Sequence, residues 1–533
     1  KRSAVSEIAG LSGIEWIERA PLVTTYDYEM SEADRTLEDS SGGPSVSSYE
    51  YTGYESGNKI IGAETAWSQG YLGAGQISAL ADTGVDTGLP ATMHPDLVGA
   101  TKGYAFGLGA SGWDDSMGHG THVCGSVIGN GARTDGKIKG VAPQAQILVG
   151  GLWSPVMNGL VFGNDMAKVL NPPYQDGAKI HTNSWGADAK GAYDAMASKV
   201  DAFMWDHPDM LVIFAAGNSG QDLDANGHID PGSIGSPATA KNVLSVGASE
   251  NLLAKGGIQK TLGELRDGLK KWGAEPIKSD RLSDNPNGIA AFSSRGPTRD
   301  GRIKPEVVAP GTNIVSTRSK NPKASPLWGE FNADYVYSGG TSMATPMVAG
   351  AATVAREYLV RSKGVANPSA ALLKAALMHT ARDLFPGQYG ATGGVTQELT
   401  RRPNVDEGYG RVDLEALMAM AGETRIEDET QGVAVGETKT YAVEVGAGGV
   451  LRATLAYTDA PGSTSASRTL VNDLDLSVTT PSGEVRDLRD RVNNSEMLEL
   501  SGLAPGRYTV SVKGINVPSG KNGKQPFALL VTR

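Results

Sequence analysis

The stretch QISALADTGVDTG (Gln76–Gly88) carries the first decision about the fold. Ile77, Ala79, Leu80 and Ala81 make an apolar run too short for a helix, and it stops at Asp82 ahead of a Thr-Gly turn. Such a run, bounded by turn residues, reads as a strand buried on both faces. The signature recurs in QILVGGL (Gln146–Leu152), KIHTNS (Lys179–Ser184), MLVIFAAG (Met210–Gly217), NVLSVGA (Asn242–Ala248) and PEVVAPG (Pro305–Gly311). Helical patterns lie between several of them. One is Tyr193–Trp205, with Met196, Val200, Phe203 and Met204 inward; another is Ser369–Arg382. Strands alternating with helical crossovers imply an α/β fold with a doubly wound, mostly parallel sheet, whose ligands bind beyond the carboxyl ends of the strands.

The chain has 533 residues, which suggests two or three domains, and its 39% hydrophobic content is enough for a sizeable core. A formal net charge of −11 argues against nucleic acid and against an anionic membrane surface as partners. Cys124 is the single cysteine, so no internal disulfide forms. No apolar run reaches the ~18 residues of a membrane span. The opening KRSAVSEIAG has neither Met nor an apolar signal core, and the chain is expected to be already trimmed and secreted.

Three parts are expected. Residues 1–55 hold a short strand-like piece, IEWIERAP (Ile14–Pro21), and a Ser/Gly/Tyr-rich stretch that reads as linker or mobile arm. Residues 56–423 carry the α/β pattern. Residues 424–533 switch to period-two alternation, as in TKTYAVEV, LRATLAYTD, LDLSVTT, GRYTVSVKG and FALLVTR, which reads as an antiparallel β-sandwich.

The residues that carry chemistry sit at strand ends and helix starts. Asp82 ends the first apolar strand. In DSMGHGTHVCGSV (Asp115–Val127), His119 stands between glycines before a helical run. In SGGTSMATPMVAG (Ser338–Gly350), Ser342 follows two glycines and opens a helix through Leu359. Unpaired N–H groups and the helix dipole there favour developing negative charge. Acid, base and nucleophile are the set that acyl transfer needs: His119 takes the serine proton while Asp82 fixes its tautomer. In FAAGNSG (Phe214–Gly220), the Asn218 amide follows a strand and a tight turn, where it is placed to donate to an oxyanion.

These four motifs, in the order Asp, His, Asn, Ser, resemble the subtilisin-like serine proteases over roughly residues 60–420, a chain order that is itself a recognised property of the family. FSSRGPTRDGRIKPEVVAPG (Phe292–Gly311) is also typical of it. Within the family the chain looks closest to the oxidatively stable alkaline subtilases with a C-terminal jelly roll, whose tail TLVNDLDL (Thr469–Leu476) resembles. The resemblance implies Asp82, His119 and Ser342 as triad, Asn218 as oxyanion donor, and TNSWGA (Thr182–Ala187) as the strand that pairs with extended substrate. Ser184, Trp185, Gly186, Ala215, Ala216 and Gly217 are then the walls of the P1 pocket; none is acidic, so a neutral pocket is expected. In such relatives a loop after the TLVNDLDL segment supplies calcium ligands; here GEVRDLRDRVNNSEM (Gly483–Met497) is short, which argues against calcium at Asp473 or Asp475. IEWIERAP resembles the last strand of an inhibitory prodomain; a plain extension strapped on the body is the alternative.

His119 and His122 have a spacing that suits a metal pair, but the triad accounts for His119, and His122 and Cys124 read as packed inside the helix. QDLDANGHIDPGS (Gln221–Ser233) presents Asp222, Asp224, Asn226 and Asp230 at calcium-loop positions one, three, five and nine. Gly227 falls at the turn, and His228 offers only its carbonyl. Calcium is expected there although Ser233 replaces the usual Glu. The whole implies a monomeric secreted endopeptidase acting on polypeptides, with its own prodomain as an inhibitor. The rival reading is an inactive member of the fold that binds through its sandwich. A lipase-type hydrolase is excluded, because the serine lies in GTSMA and not in a G-x-S-x-G elbow.

Overall fold

The computed structural model describes residues 18, 21–35, 49–163, 165–390, 397–420 and 424–533. We label the strands used below β1 (Thr24–Thr25), β2 (Ile77–Asp82), β3 (Ala100–Ala105), β4 (Gln146–Gly151), β5 (Ile180–Asn183), β6 (Trp185–Gly186), β7 (Leu211–Ala215), β8 (Leu244–Ser249) and β9 (Val307–Pro310). The helices are α1 (His119–Ile128), α2 (Ala195–Asp206), α3 (Thr341–Lys363) and α4 (Ala370–Thr380).

Seven parallel strands form the central sheet in the order β9-β8-β7-β5-β2-β4-β3. Every residue of β5, β7, β8 and β9 is buried, so both faces of the sheet are covered, which is why these strands read as near-continuous apolar runs. From β2 the chain moves outward to β3 and β4, then crosses back to β5 and continues the other way. Asp82 thus ends β2 where the strand order reverses, the position at which open α/β sheets bind ligands. The edge strand β3 was not legible in the sequence. Its ATKGYA is largely exposed and carries no apolar run.

The last part is a pair of four-stranded antiparallel sheets. Its strands are β10 (Arg425–Val433), β11 (Thr438–Val445), β12 (Gly449–Ala456), β13 (Asp473–Thr479), β14 (Val485–Asp487), β15 (Ser495–Leu503), β16 (Gly506–Asn516) and β17 (Gln525–Thr532). One sheet runs β10-β17-β12-β15 and the other β11-β16-β13-β14. Leu451, Leu455, Leu476, Val510, Val512 and Leu529 fill the space between them. The sandwich is joined to the body rather than hung from it. Ala456, Met497, Ala528 and Leu530 belong to the same core as the central sheet. His379 of α4 is buried with Nδ1 2.8 Å from Thr454 Oγ1 and Nε2 2.9 Å from Thr532 Oγ1. Burial, with Arg452 and Arg402 nearby, lowers its pKa to about 3, so it stays neutral. Lys241, with no exposed surface, lies 3.6 Å from Asp201 and 3.4 Å from Asp459 and donates to the Ala460 carbonyl at 2.8 Å.

The stretch read as linker is a correction over Tyr49–Gly57. Tyr49 stacks edge-on against Tyr51 and Phe331. Buried Glu55 accepts the Thr52 and Gly53 N–H groups at 2.8 and 2.9 Å. The aromatics that looked like linker composition are the packing groups. Of IEWIERAP, only Glu18 and Pro21 fall among the described residues. Among the described residues no helix is long and apolar enough to cross a membrane.

Candidate active site

The end of β2, the start of α1 and the start of α3 meet at the carboxyl edge of the sheet. Asp82 Oδ1 lies 2.6 Å from His119 Nδ1, both side chains wholly buried. The Thr83 N–H donates to the same oxygen at 2.7 Å. Gly120 permits this approach, since a Cβ there would land on the Gly84 carbonyl and against Asp82. The sequence reading missed Asp115, which fixes the first turn of α1. Its two oxygens accept from Gly118 N, Thr121 N and Thr121 Oγ1 at 2.8, 2.8 and 2.6 Å, and from Thr83 Oγ1 at 2.8 Å. Capping donors at a helix start with a carboxylate is ordinary local chemistry, but here it also sets where His119 points.

Gly340 holds φ 138 before α3, a left-handed angle that glycine supplies, and brings Ser342 to the second residue of the helix. The Asn218 amide is oriented without ambiguity: the Thr341 N–H can only donate, so Oδ1 faces it at 2.9 Å and Nδ2 points the other way. What Nδ2 meets is the chain itself. The Tyr26 carbonyl oxygen accepts from Asn218 Nδ2 at 2.6 Å and from the Ser342 N–H at 3.0 Å. The Ser342 hydroxyl donates to the Ser184 carbonyl at 2.8 Å, and His119 Nε2 has no hydrogen-bond partner among the described residues.

Around Tyr26 the chain is extended. β1 pairs antiparallel with β6, Thr24 opposite Gly186 and Thr25 opposite Trp185, and the Tyr26 N–H donates to Ser184 O at 3.0 Å. The Tyr26 side chain enters a slot where a Cβ at Gly186 would come 2.6 Å from its hydroxyl oxygen and one at Gly235 would land on it. Gly217 lies beside the ring. Of the expected pocket walls, Gly186 and Gly217 border this slot, and Ser184 meets Tyr26 through its backbone carbonyl. Trp185 pairs with Thr25 through its backbone, while its indole is buried, donates to Ala81 O at 2.8 Å and packs on Phe162 and Phe214. Ala215 ends β7, and the Ala216 carbonyl holds Gly235 in place by accepting its N–H at 2.9 Å. Gly235 itself was missed, since nothing in SIGSPATA marks it. None of the expected walls is acidic, but acids stand behind them. Burial first, then Asp188 and Asp194, push the Tyr26 phenol upward, so two carboxylates act on this pocket from outside its walls.

Burial disfavours a charge on His119, but the Asp82 carboxylate, helped by Asp27 and Asp115, outweighs it and carries the pKa up to about 9. His122 is different. Buried, and with Nε2 on the Ile314 carbonyl at 3.0 Å, it is lowered to about 3 and packs inside the helix as expected. Cys124 is fully buried and its thiol is pushed upward, chiefly by burial, which leaves it inert.

The expected calcium loop turns its oxygens inward on its own backbone. Asp222 accepts from Asn226 N and Gly227 N at 3.0 and 2.9 Å, Asp230 from Leu223 N at 3.0 Å, and Asn226 Oδ1 from His228 N at 2.8 Å. Asp224 accepts from Asn226 N and Nδ2 at 3.2 and 2.9 Å. Among the described residues, ligand atoms of three acidic side chains come within 4.8 Å of one another at Glu250, Asp280 and Asp284, an arrangement able to hold a metal ion. Near Asp473 and Asp475 the positive charge is the Arg491 guanidinium, 3.4 Å from Asp473 and paired with Asp475.

Comparison with known proteins finds several relatives whose names include a serine protease. The chain is 28% identical to the serine protease/ABC transporter B family protein tagD of Dictyostelium discoideum, over 84% of this chain and 31% of that protein. It is 30% identical to serine protease AprX of Bacillus subtilis (strain 168), over 54% of this chain and 58% of AprX. It is likewise 30% identical to the thermophilic serine proteinase of Bacillus sp. (strain AK1), over 57% of this chain and 58% of that enzyme. The chain therefore spans about a third of the length of the Dictyostelium relative and under two thirds of the Bacillus ones. Residues 73–411, more than half of the chain and including Asp82, His119, Asn218 and Ser342, match the model of the subtilase family, and the chain belongs to that family.

Proposed function

We propose that the chain is a serine endopeptidase that hydrolyses peptide bonds through an acyl-serine intermediate. One observation carries the reading. An extended peptide, Thr24–Asp27, lies across the site with a carbonyl oxygen on two donors, Asn218 Nδ2 at 2.6 Å and the Ser342 N–H at 3.0 Å. A substrate held in this way has its carbonyl carbon beside the serine. Rotation of the Ser342 hydroxyl away from Ser184 presents it to the unpaired His119 Nε2. His119 accepts the proton as Ser342 Oγ attacks, Asp82 stabilises the imidazolium, and the two donors hold the oxyanion. The proton then goes to the leaving amine, and water repeats the sequence to release the acid.

In this reading substrates are polypeptides. They pair with β6 in the place that β1 occupies, and large neutral side chains, Tyr above all, fill the P1 slot. The chain works as a secreted monomer, its first part acts as its own inhibitor, and the division at residues 1–55, 56–423 and 424–533 is retained. The sandwich order β10-β17-β12-β15 over β11-β16-β13-β14 supports a jelly roll. Calcium belongs to the reading as a stabiliser. The trio Glu250, Asp280 and Asp284 supports it better than the Asp222–Asp230 loop, whose oxygens already accept from the loop's own N–H groups.

The rival is an inactive, binding member of the fold, favoured by the Ser342 hydroxyl resting on Ser184 rather than on His119. A serine-directed fluorophosphonate decides between them. Stoichiometric labelling at Ser342, lost in Ser342→Ala, is the expected result. An unlabelled folded protein that also leaves peptides intact refutes the endopeptidase.

A further inference from the structure

We infer that Tyr26–Asp27 is the bond this chain cuts in itself, and that the Asp27 carboxylate, facing His119, restrains that cut. The inference rests on the endopeptidase reading and adds to it the site of cleavage and its control.

The bond is held from both sides. Upstream, β1 is paired with β6, and the Tyr26 side chain fills the slot between Gly186, Gly217 and Gly235. Downstream, the Tyr28 N–H donates to Gly339 O at 2.8 Å and the Trp328 indole donates to Tyr28 O at 2.7 Å. The Tyr28 ring stacks on Phe292 with centroids 5.2 Å apart, and Lys271 Nζ reaches its hydroxyl at 2.9 Å. Further on, Asp34 accepts the Arg266 N–H at 3.1 Å. A segment merely parked over the cleft has no reason to place one carbonyl on both Asn218 and Ser342. Gly340 is needed for that approach too, since a Cβ there would land on the Tyr26 oxygen. Anchoring on both sides of a bond is what turns a diffusional encounter into a positioned, unimolecular one.

The balance is that of ordinary acyl transfer. Ser342 Oγ bonds to the Tyr26 carbonyl carbon and its proton passes to His119. The Tyr26–Asp27 C–N bond breaks, and the proton goes from His119 to the Asp27 nitrogen, which leaves as an α-amine. One water then cleaves the Tyr26 ester, leaving a Tyr26 carboxylate and restoring the Ser342 hydroxyl.

The restraint comes from position. Asp27 Oδ1 lies 3.8 Å from His119 Nε2, the nitrogen that must be free to take the serine proton. A carboxylate there favours the imidazolium, which is no base. The other ionisable groups facing the imidazole are Asp82 from β2, Asp115 from the turn before α1, and His122 on α1. With the three acids together, His119 rises to about 9 in spite of burial. Removing one of them lowers it, which at neutral pH releases more base.

The test uses the full chain. Wild type and Ser342→Ala are purified at pH 6 and then held at pH 7 and pH 10, with N-terminal sequencing over time. The wild type is expected to acquire the new N-terminus Asp27, at a rate independent of protein concentration over a hundredfold range, while Ser342→Ala stays intact. Asp27→Asn, nearly isosteric, is expected to cut about tenfold faster than wild type at pH 7 and no faster at pH 10. A wild type that cleaves a fluorogenic peptide yet keeps the 26–27 bond overturns the inference and leaves the endopeptidase standing. So does a cut that scales with concentration, a cut in Ser342→Ala, or an Asp27→Asn variant no faster at pH 7. A protein that cleaves neither refutes the endopeptidase itself.

Discussion

Gly235→Ala should convert a pocket for large side chains into one for small ones. Gly235 has an ordinary backbone angle, so alanine is conformationally allowed. The new methyl would land on the phenol oxygen of a bound tyrosine and come 2.9 Å from the Ala187 carbonyl. A tyrosine ring buries about 200 Å². At about 25 cal/mol per Å², full burial contributes at most about 5 kcal/mol. Pushing half of the ring out costs about 2.5 kcal/mol, and at about 1.4 kcal/mol per decade kcat/KM for a Tyr-P1 peptide falls roughly 60-fold. An Ala-P1 peptide never reaches Gly235 and should change less than about threefold. The assay is kcat/KM on two peptide anilides differing in P1 alone, with Tm as a control for the small shift needed at Ala187. Equal losses on both substrates would refute the reasoning, because they would mean that the slot holding Tyr26 is not where substrate side chains go.

Asn218→Ala should lower kcat about 10²–10³-fold with little change in KM, a size borrowed from oxyanion-donor removal in this same family rather than worked from the present distances; unchanged turnover would contradict the donor role. With Asp27 in place, cleavage of the Tyr26–Asp27 bond should rise about tenfold per pH unit from neutrality and level off above about pH 9, where His119 becomes neutral; a profile flat down to pH 5 would remove histidine from the mechanism. The same elevation stabilises the fold by about 3 kcal/mol below pH 6.5, the ordinary histidine value; the contribution fades as pH rises to about 9 and is absent above it. Urea titrations of wild type and His119→Gln at pH 6 and pH 10 should show the gap closing at the higher pH. Chelation with EDTA should lower Tm, with Ca²⁺ restoring it, and comparing Asp284→Ala with Asp224→Ala identifies which acids are responsible; identical melting with and without chelator would end the calcium reading.

What was legible in the sequence was what several constraints wrote at once. Strands covered on both faces must be apolar throughout, so β2, β4, β5, β7, β8 and β9 announced themselves. Asp82, His119 and Ser342 stood out because each lies at a turn that needs glycine. Features set by a distant partner were silent. Nothing in PLVTTYDYEM says that Tyr26 and Asp27 will lie on Asn218, Ser342 and His119, because that pairing exists only once β1 finds β6. Asp115 looked like any loop acid until Thr83 and Thr121 closed on it. β10 was missed because RIEDETQGV is half exposed and carries a bulge, which breaks its alternation. The calcium loop shows a further kind of information that spacing does not carry: Asx-type bonds to the loop's own N–H groups compete for the same oxygens that a cation would use.

The sandwich has a consequence for the order in which the protein is made. Ala528 and Leu530 belong to the core of the body, and α4 is buried along its whole length where β12 and β17 cover it. Asp82, His119, Asn218 and Ser342 have all been synthesised once the ribosome passes position 342, yet the interior that supports them is not closed until β17 exists, about 190 residues later. At roughly 5–20 residues per second that is about 10–40 s. For that interval the nascent chain holds every group of the site without the finished scaffold to align them, and the cell is spared a proteolytic machine still tethered to its ribosome.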